Sequence, residues 1–228
     1  MNNADQWTPS AKVLQQPQIK IANITHSPLK RAFDVFFSLA VLVLTAPLFL
    51  IIYLLIRTTS KGRAIYYQER IGRAGIPFRC YKFRSMYSDA ESRLQDILKN
   101  DPQKHEEWER NHKLRNDPRI TQIGKFIRRS SLDEFPQFWN VLKGDLSVVG
   151  PRPVVSEEIV KHFGKKAEKI LSIRPGLTGL WQVSGRSDIS YAARVALDEK
   201  YVDERSFALD LKLIMLTIPR MLSTKGAY

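Results

Sequence analysis

Two adjacent carboxylates, Asp133 and Glu134, stand inside a cationic, proline-punctuated stretch, residues 128–153 (RRSSLDEFPQFWNVLKGDLSVVGPRP). Arg128 and Arg129 precede them, and Arg152 follows between Pro151 and Pro153. A carboxylate kept anionic among cations is what a nucleophile needs, or a ligand for a hard divalent metal. An arginine between two prolines sits on backbone that cannot be helical, and so stiff a mount suits a planar, bidentate grip on phosphate. Pro136 lacks an N–H and is comfortable only in the first turn of a helix. The sequence therefore predicts a helix that starts near residues 131–133 and continues through FPQFWNVL. Ser131 and Glu134 have the spacing of a capping box. In that frame the helix dipole favours an ionised Asp133 by about 0.3–1 kcal/mol, and the free N–H groups favour a phosphate placed against them. The spacing is equally compatible with an ordinary capped helix, a hairpin strand and a surface arginine.

Composition bounds the partners. The chain has 228 residues, enough for one domain plus a tail. Its 36 Lys and Arg against 23 Asp and Glu suit nucleic acid, an anionic membrane surface or phosphorylated substrates. No helix-turn-helix, RNP or zinc-finger pattern is present, so nucleic acid is not expected. Neither a Walker pattern nor a strand-to-helix GxGxxG occurs, so neither a P-loop nor a Rossmann fold is implied. The single cysteine, Cys80, excludes an internal disulfide and reads as a small packing residue.

The elements that must position these groups follow from periodicity. Residues 1–27 are polar and aperiodic and read as a tail, not a secretory signal. Residues 35–56 carry no charge, and at ~1.5 Å per residue such a run just reaches across a bilayer core of ~30 Å. A single-pass helix is one reading. The other is a re-entrant hairpin over 28–58, broken at Pro47, because basic residues flank both ends: Lys30 and Arg31 before, Arg57, Lys61 and Arg63 after. Residues 59–228 then form the rest of the protein as one catalytic domain. Short strands are predicted within 61–86, where Lys82 and Arg84 alternate with Tyr81 and Phe83 and could line an anionic substrate. A charged helical stretch over 88–115 is broken at Asp101-Pro102, and its His105 and His112 read as surface residues. Helices are predicted over 120–129, 154–172 (interrupted at Gly164) and 191–205, with a short buried strand over 146–149. Around Leu180-Trp181-Gln182 the chain is glycine-rich; Trp181 could stack on a base or be core, and Arg186 is a candidate phosphate ligand. The apolar segment 207–222 is interrupted by Asp210, Lys212, Pro219 and Arg220, which is poor for spanning and suits lying in a membrane interface or packing beneath the membrane arm.

The central stretch resembles the signature of the bacterial phosphoglycosyl transferases of the monotopic superfamily. Further matches, in the family's order, are QERIGRAGIPFRCYKFRSM (68–86), KLRNDPRITQIGKFIRRSSLDE (113–134), RPGLTGLWQVSGRSD (174–188) and YVDERSFALDLKL (201–213). The resemblance covers residues 29–228. It implies an α+β, mostly helical fold with an N-terminal re-entrant membrane helix, a small β element and amphipathic interface helices. Asp34, after Lys30-Arg31, matches the family's charged membrane-edge motif. The implied reaction moves a sugar-1-phosphate from a UDP-sugar to polyprenyl phosphate and releases UMP, at the cytoplasmic face of the inner membrane. Asp133 is then the nucleophile and Glu134 helps bind Mg²⁺ beside it, so the pair forms both catalytic and metal site. Arg128, Arg152, Lys82, Arg84 and Arg186 are the phosphate-binding candidates, and a homodimer is compatible with the pattern. KLRNDPRIT, GLWQVSGRSD and the terminal GAY resemble the hexose-1-phosphate branch, which favours galactose or glucose. The four-helix membrane region that many of that branch carry upstream is not expected here. The competing expectation is a non-enzymatic basic adaptor at a membrane surface.

Overall fold

The uncharged run folds into one helix, α1 (Pro28–Thr59), with Lys30 and Arg31 in its first turn and Arg57 in its last. The helix continues through Pro47. In this computed structural model, which describes residues 27–111, 114–185 and 189–222, it alone among the described residues is long and apolar enough to cross a membrane. Only 11% of its most apolar window is buried. Phe36, Val43, Leu44, Leu50 and Ile51 are exposed, an apolar surface that calls for a lipid or protein partner. The polar tail up to residue 26, His112, Arg186 and the terminal Gly226-Ala227-Tyr228 lie outside the described residues.

After α1 the chain forms β1 (Ile65–Ile71) and β2 (Pro77–Phe83), which pair in a two-stranded sheet, then α2 (Ala90–Asn100) and α3 (Pro102–Asn111). Helix α4 (Gln122–Arg129) precedes a 3-10 turn, Leu132–Glu134, and α5 (Gln137–Lys143). Next come β3 (Ser147–Val149), α6 (Ser156–His162), α7 (Lys166–Ile170), β4 (Gly176–Thr178) and α8 (Leu180–Ser184). Helices α9 (Tyr191–Glu204) and α10 (Phe207–Leu222) complete the order. The fold is thus mostly helical with small sheets, as the sequence indicates. The break at Gly164 (φ 50°) falls between α6 and α7.

The chain divides into two units. One comprises Met1–Val43, Tyr67–Tyr81 and Gln137–Ser223. Its core gathers Phe78, Cys80, Val141, Leu146, Val148, Val149, Val183, Tyr201 and Leu213, so Cys80 is the packing residue expected. All three residues of β3 are buried, and β3 pairs in parallel with β4, Ser147 opposite Gly176 and Val149 opposite Thr178. A Cβ on Gly150 would fall 2.6 Å from the Arg174 carbonyl oxygen, which is why this crossing requires glycine. A buried ionic knot ties α1 to the same core. Lys30 Nζ lies 2.8 Å from Asp210 Oδ2 and 3.4 Å from Asp34 Oδ1, and Asp34 also accepts the Val148 N–H at 3.1 Å. Arg31 donates to the carbonyls of Val141 (2.6 Å) and Leu142 (2.9 Å), satisfying the end of α5. The residues sequence reading assigned to a membrane edge thus hold the helix to β3, α5 and α10.

The other unit comprises Leu44–Tyr66, Lys82–Pro136 and Thr224–Tyr228. Ile52, Ile56, Ala64, Phe83 and Ile127 form its core, with Phe49, Ile123, Leu132 and Phe135 packed against them. Thr121 caps α4 by accepting the Gly124 N–H at 2.8 Å, and its own N–H donates to Ser85 O at 3.0 Å. Gly124 presses so close to this strand end that a Cβ there would lie 1.8 Å from Ser85 O.

Candidate active site

The carboxylate pair belongs to the second unit and sits on a turn rather than in a regular helix. After α4 the chain reverses at Ser131, which adopts a left-handed conformation (φ 56°, ψ 17°). The Ser131 side chain caps nothing, so the predicted capping box with Glu134 does not form. The reason is geometric: a cap residue needs extended backbone, and the left-handed turn points its hydroxyl elsewhere. The regular helix begins only at Gln137, after Pro136. Leu132 and Phe135, three apart, share the face of the 3-10 turn that packs into the core. Asp133 and Glu134 are left on the remaining faces.

Lys82, at the end of β2, donates to Glu134 Oε1 at 2.7 Å. Burial alone would lower the Lys82 pKa, but Glu134 and Asp133 outweigh it and hold the ammonium above its ordinary value. Asp133 is different. It is half-buried, and its carboxylate takes no side-chain partner among the described residues. Burial and the neighbouring Glu134 charge push its pKa up to about 6, against the opposing pull of Lys82 and Arg128. The Arg128 guanidinium, in the last turn of α4, makes no hydrogen bond or ion pair to a described residue and contributes through its field. The helix-dipole expectation for Asp133 is therefore corrected: desolvation and a like charge dominate, and α5 starts too late to supply a strong N-terminal field. The pair still offers a carboxylate that is only partly solvated, beside a neighbour fixed by a cation.

The other sequence candidates fall elsewhere. Arg84 donates to Lys61 O (2.7 Å), Ser60 O (2.8 Å) and Ser60 Oγ (2.8 Å), so its guanidinium clamps the segment that follows α1. Arg152 is in the first unit, where its guanidinium lies 5.4 Å from the centre of the Trp181 ring. Trp181 is buried, and Arg194 lies 5.0 Å from the same ring, so the stack is with arginine. The Arg152 N–H donates to Asp198 Oδ2 at 3.4 Å. Arg194 and Asp198 were missed from sequence. Their signal was an arginine and an aspartate four apart on the face of α9 that also carries the buried Val195 and Tyr201.

The fit of the implied metal rests on the pair itself. Two neighbouring carboxylates, with Glu134 raising the proton affinity of Asp133 and the Lys82 ammonium against Glu134, form a hard oxygen donor set. Such a set fits Mg²⁺, which commonly takes one or two carboxylates and fills its other positions with water and phosphate oxygens.

A carboxylate pair with Lys82 against one member, in a chain that also carries an exposed apolar helix, is consistent with what the comparisons find. The profile of the bacterial sugar transferase family matches residues 25–224. The chain is 45% identical over 217 residues to an undecaprenyl-phosphate galactose phosphotransferase of Salmonella typhimurium, covering 95% of this chain and 45% of that protein. It is 44% identical over 199 residues to the exopolysaccharide production protein ExoY of Sinorhizobium fredii, covering 87% of this chain and 88% of ExoY. A UDP-glucose:undecaprenyl-phosphate glucose-1-phosphate transferase of Klebsiella pneumoniae is 37% identical over 206 residues, 87% of this chain and 41% of that protein. The chain thus spans slightly under half the length of the Salmonella and Klebsiella relatives and most of ExoY. With the family profile covering nearly every residue from the start of α1 to the end of α10, the chain belongs to the bacterial sugar transferases.

Proposed function

We propose that this protein transfers galactose-1-phosphate or glucose-1-phosphate from a UDP-sugar to undecaprenyl phosphate, as the first membrane step of a surface or exopolysaccharide. Asp133 attacks the β-phosphorus, the bond from that phosphorus to the bridging oxygen breaks, and UMP departs with the electron pair. The phosphosugar is then an acyl phosphate on Asp133. An oxygen of the carrier phosphate attacks the same phosphorus, the aspartyl oxygen leaves, and the lipid diphosphate sugar is formed.

The observation that carries this reading is the asymmetry of the pair: Lys82 holds Glu134, while the Asp133 carboxylate has no side-chain partner among the described residues. Glu134 and Asp133 would hold Mg²⁺, which supplies charge neutralisation at the diphosphate when bound. Lys82 orients Glu134. Arg128, whose guanidinium has no partner among the described residues and whose charge acts on Asp133, offsets the repulsion between the carboxylate and an anionic substrate. Arg152 is read as a second phosphate-holding residue. The exposed apolar face of α1 lies in the inner leaflet, entering and leaving by the cytoplasmic side around Pro47, and the exposed Phe207, Leu211 and Met215 of α10 lie along the interface. The names of the Salmonella and Klebsiella relatives favour the two hexoses.

The test is direct. Purified protein is incubated with a panel of UDP-sugars, with and without undecaprenyl phosphate, and UMP is measured. Lipid-dependent turnover with UDP-galactose or UDP-glucose supports the reading; no UMP from any UDP-sugar would remove it.

A further inference from the structure

Helix α9 carries three residues, spaced by four and three, that meet the segment bearing Arg152. Tyr201 donates to Asp210 Oδ1 at 2.6 Å and lies 3.1 Å from Val149 O. Asp198 Oδ2 accepts the Arg152 N–H at 3.4 Å. Arg194 shares the Trp181 ring with Arg152. From the opposite side β4 fixes the same segment: Gly150 N–H donates to Thr178 O at 2.9 Å, and Gly176 N–H donates to Pro151 O at 2.7 Å. One residue on, Arg70 donates to Pro153 O at 3.3 Å. The Arg152 backbone is therefore bracketed before, at and after its own position, and Asp198 supplies the contact at Arg152 itself.

Asp198 is a costly way to supply it. The residue is 3% exposed, and its Oδ1 has no hydrogen-bond partner among the described residues. Burying a polar group without full pairing is unfavourable, and an apolar residue of the same volume would pack there at less cost. Burial drives its pKa up to about 8, with the Arg152 N–H and guanidinium pulling the other way. Among the described residues, the hydrogen bond of its carboxyl goes to Arg152.

We infer that Asp198 is a positioning residue: it fixes the Arg152 backbone and, through it, the direction of the Arg152 guanidinium. The inference rests on the reading of Arg152 as a phosphate-holding residue. Asp198→Leu keeps the volume, removes the acceptor and removes a buried polar group. It is expected to melt close to wild type, yet to lose roughly ten- to a hundredfold in kcat/KM, the scale of a catalytic group displaced by about 1 Å. Asp198→Asn, which keeps an oxygen for the Arg152 N–H, restores most of the rate.

The experiment is a double-mutant cycle on the full chain in lipid nanodiscs, with wild type, Asp198→Leu, Arg152→Ala and the pair, each measured for melting, kcat and KM. Acting through Arg152 requires that Asp198→Leu cost almost nothing further once Arg152 is Ala. Additive losses, or an Asp198→Leu protein with wild-type kcat/KM, overturn the inference. A loss with Asp198→Asn as large as with Asp198→Leu overturns it too. If Arg152→Ala alone leaves the rate unchanged, the phosphate reading of Arg152 fails, and a loss confined to Asp198→Leu then shows that Asp198 acts elsewhere. Should Asp198→Leu not fold, Asp198→Ala enters the same cycle with the same outcomes.

Discussion

The Lys82 ammonium lies 2.7 Å from Glu134 Oε1 and raises no such contact to Asp133, one residue away. That inequality separates two carboxylates that sequence presents as equals. Replacing Lys82 with Met keeps much of the side-chain volume and removes the charge, leaving two adjacent anions to repel one another and the substrate diphosphate. UMP release in steady state is expected to fall roughly 10²–10³-fold, the range seen when a preorganised electrostatic group is deleted. Lys82→Arg is expected to recover part of it. A Lys82→Met protein with near-wild-type turnover would mean that the pair needs no fixed cation.

The pair is resolved by covalent trapping. Asp133→Asn keeps shape and loses the anion, so turnover is expected to drop to background and UMP to be absent when UDP-sugar is given without lipid. Wild type is expected to release about one UMP per site under those conditions, the burst of a two-step mechanism. Glu134→Gln slows both half-reactions but still yields a phosphosugar adduct on a peptide containing Asp133, read by mass spectrometry. An adduct on Glu134 would reverse the assignment.

Metal removal tests the oxygen donor set. Excess EDTA is expected to abolish UMP release, and Mg²⁺ to restore it, with Mn²⁺ as a substitute. Full activity in EDTA would show that Lys82 and Arg128 suffice.

Topology follows from α1. Cysteines placed at positions 27 and 60, in a Cys80→Ala background, are expected to be labelled only from the cytoplasmic side if α1 re-enters. Replacing Pro47 with Leu restores the backbone hydrogen bond that proline removes and is expected to shift the helix toward spanning. Labelling of the wild-type helix ends from opposite sides would establish a span instead.

Asp198 gives a pH signature. Its carboxyl takes up a proton on folding, because its folded pKa of about 8 lies above the ordinary 3.8. The stability it contributes is therefore fully present below about pH 4. It is lost as pH rises toward 8, at up to about 1.4 kcal/mol per unit, and is level beyond that. Arg152, and Tyr191 and Arg194 from its own helix, are the charged or titratable groups that share its cleft, together with Glu158. Asp198→Asn removes the titration, so its melting temperature relative to wild type is expected to climb between pH 5 and pH 8. A constant difference across that range would show that Asp198 stays ionised.

Some of this was legible in one dimension. The charge-free run announced α1, helices were expected over 191–205 and 207–222, where α9 and α10 form, and the unbroken apolar LSVV announced a buried β3. These are local signals, set by which face of a single element meets water. The chain around Leu180-Trp181-Gln182 was read only as glycine-rich, because β4 exists through its parallel pairing with β3 and the two are far apart in sequence. Ser131 looked like a helix cap because its residue type and spacing fit, and only the packing of Leu132 and Phe135 turned its backbone left-handed.

The site divides along the same line. The sequence by itself determined which groups could react: an acidic pair, cations on either side, a proline-framed arginine and an apolar helix to bring them to a membrane. Tertiary structure decided the assignment of the cations. Lys82 goes to Glu134, Arg84 to the Ser60 and Lys61 carbonyls, and Arg152 to Trp181 and Asp198. It also decided that Asp133 is desolvated rather than held anionic by a helix end. The physical reason is that a charge acts through distance and burial, and both are set by residues that the order of the chain does not place side by side.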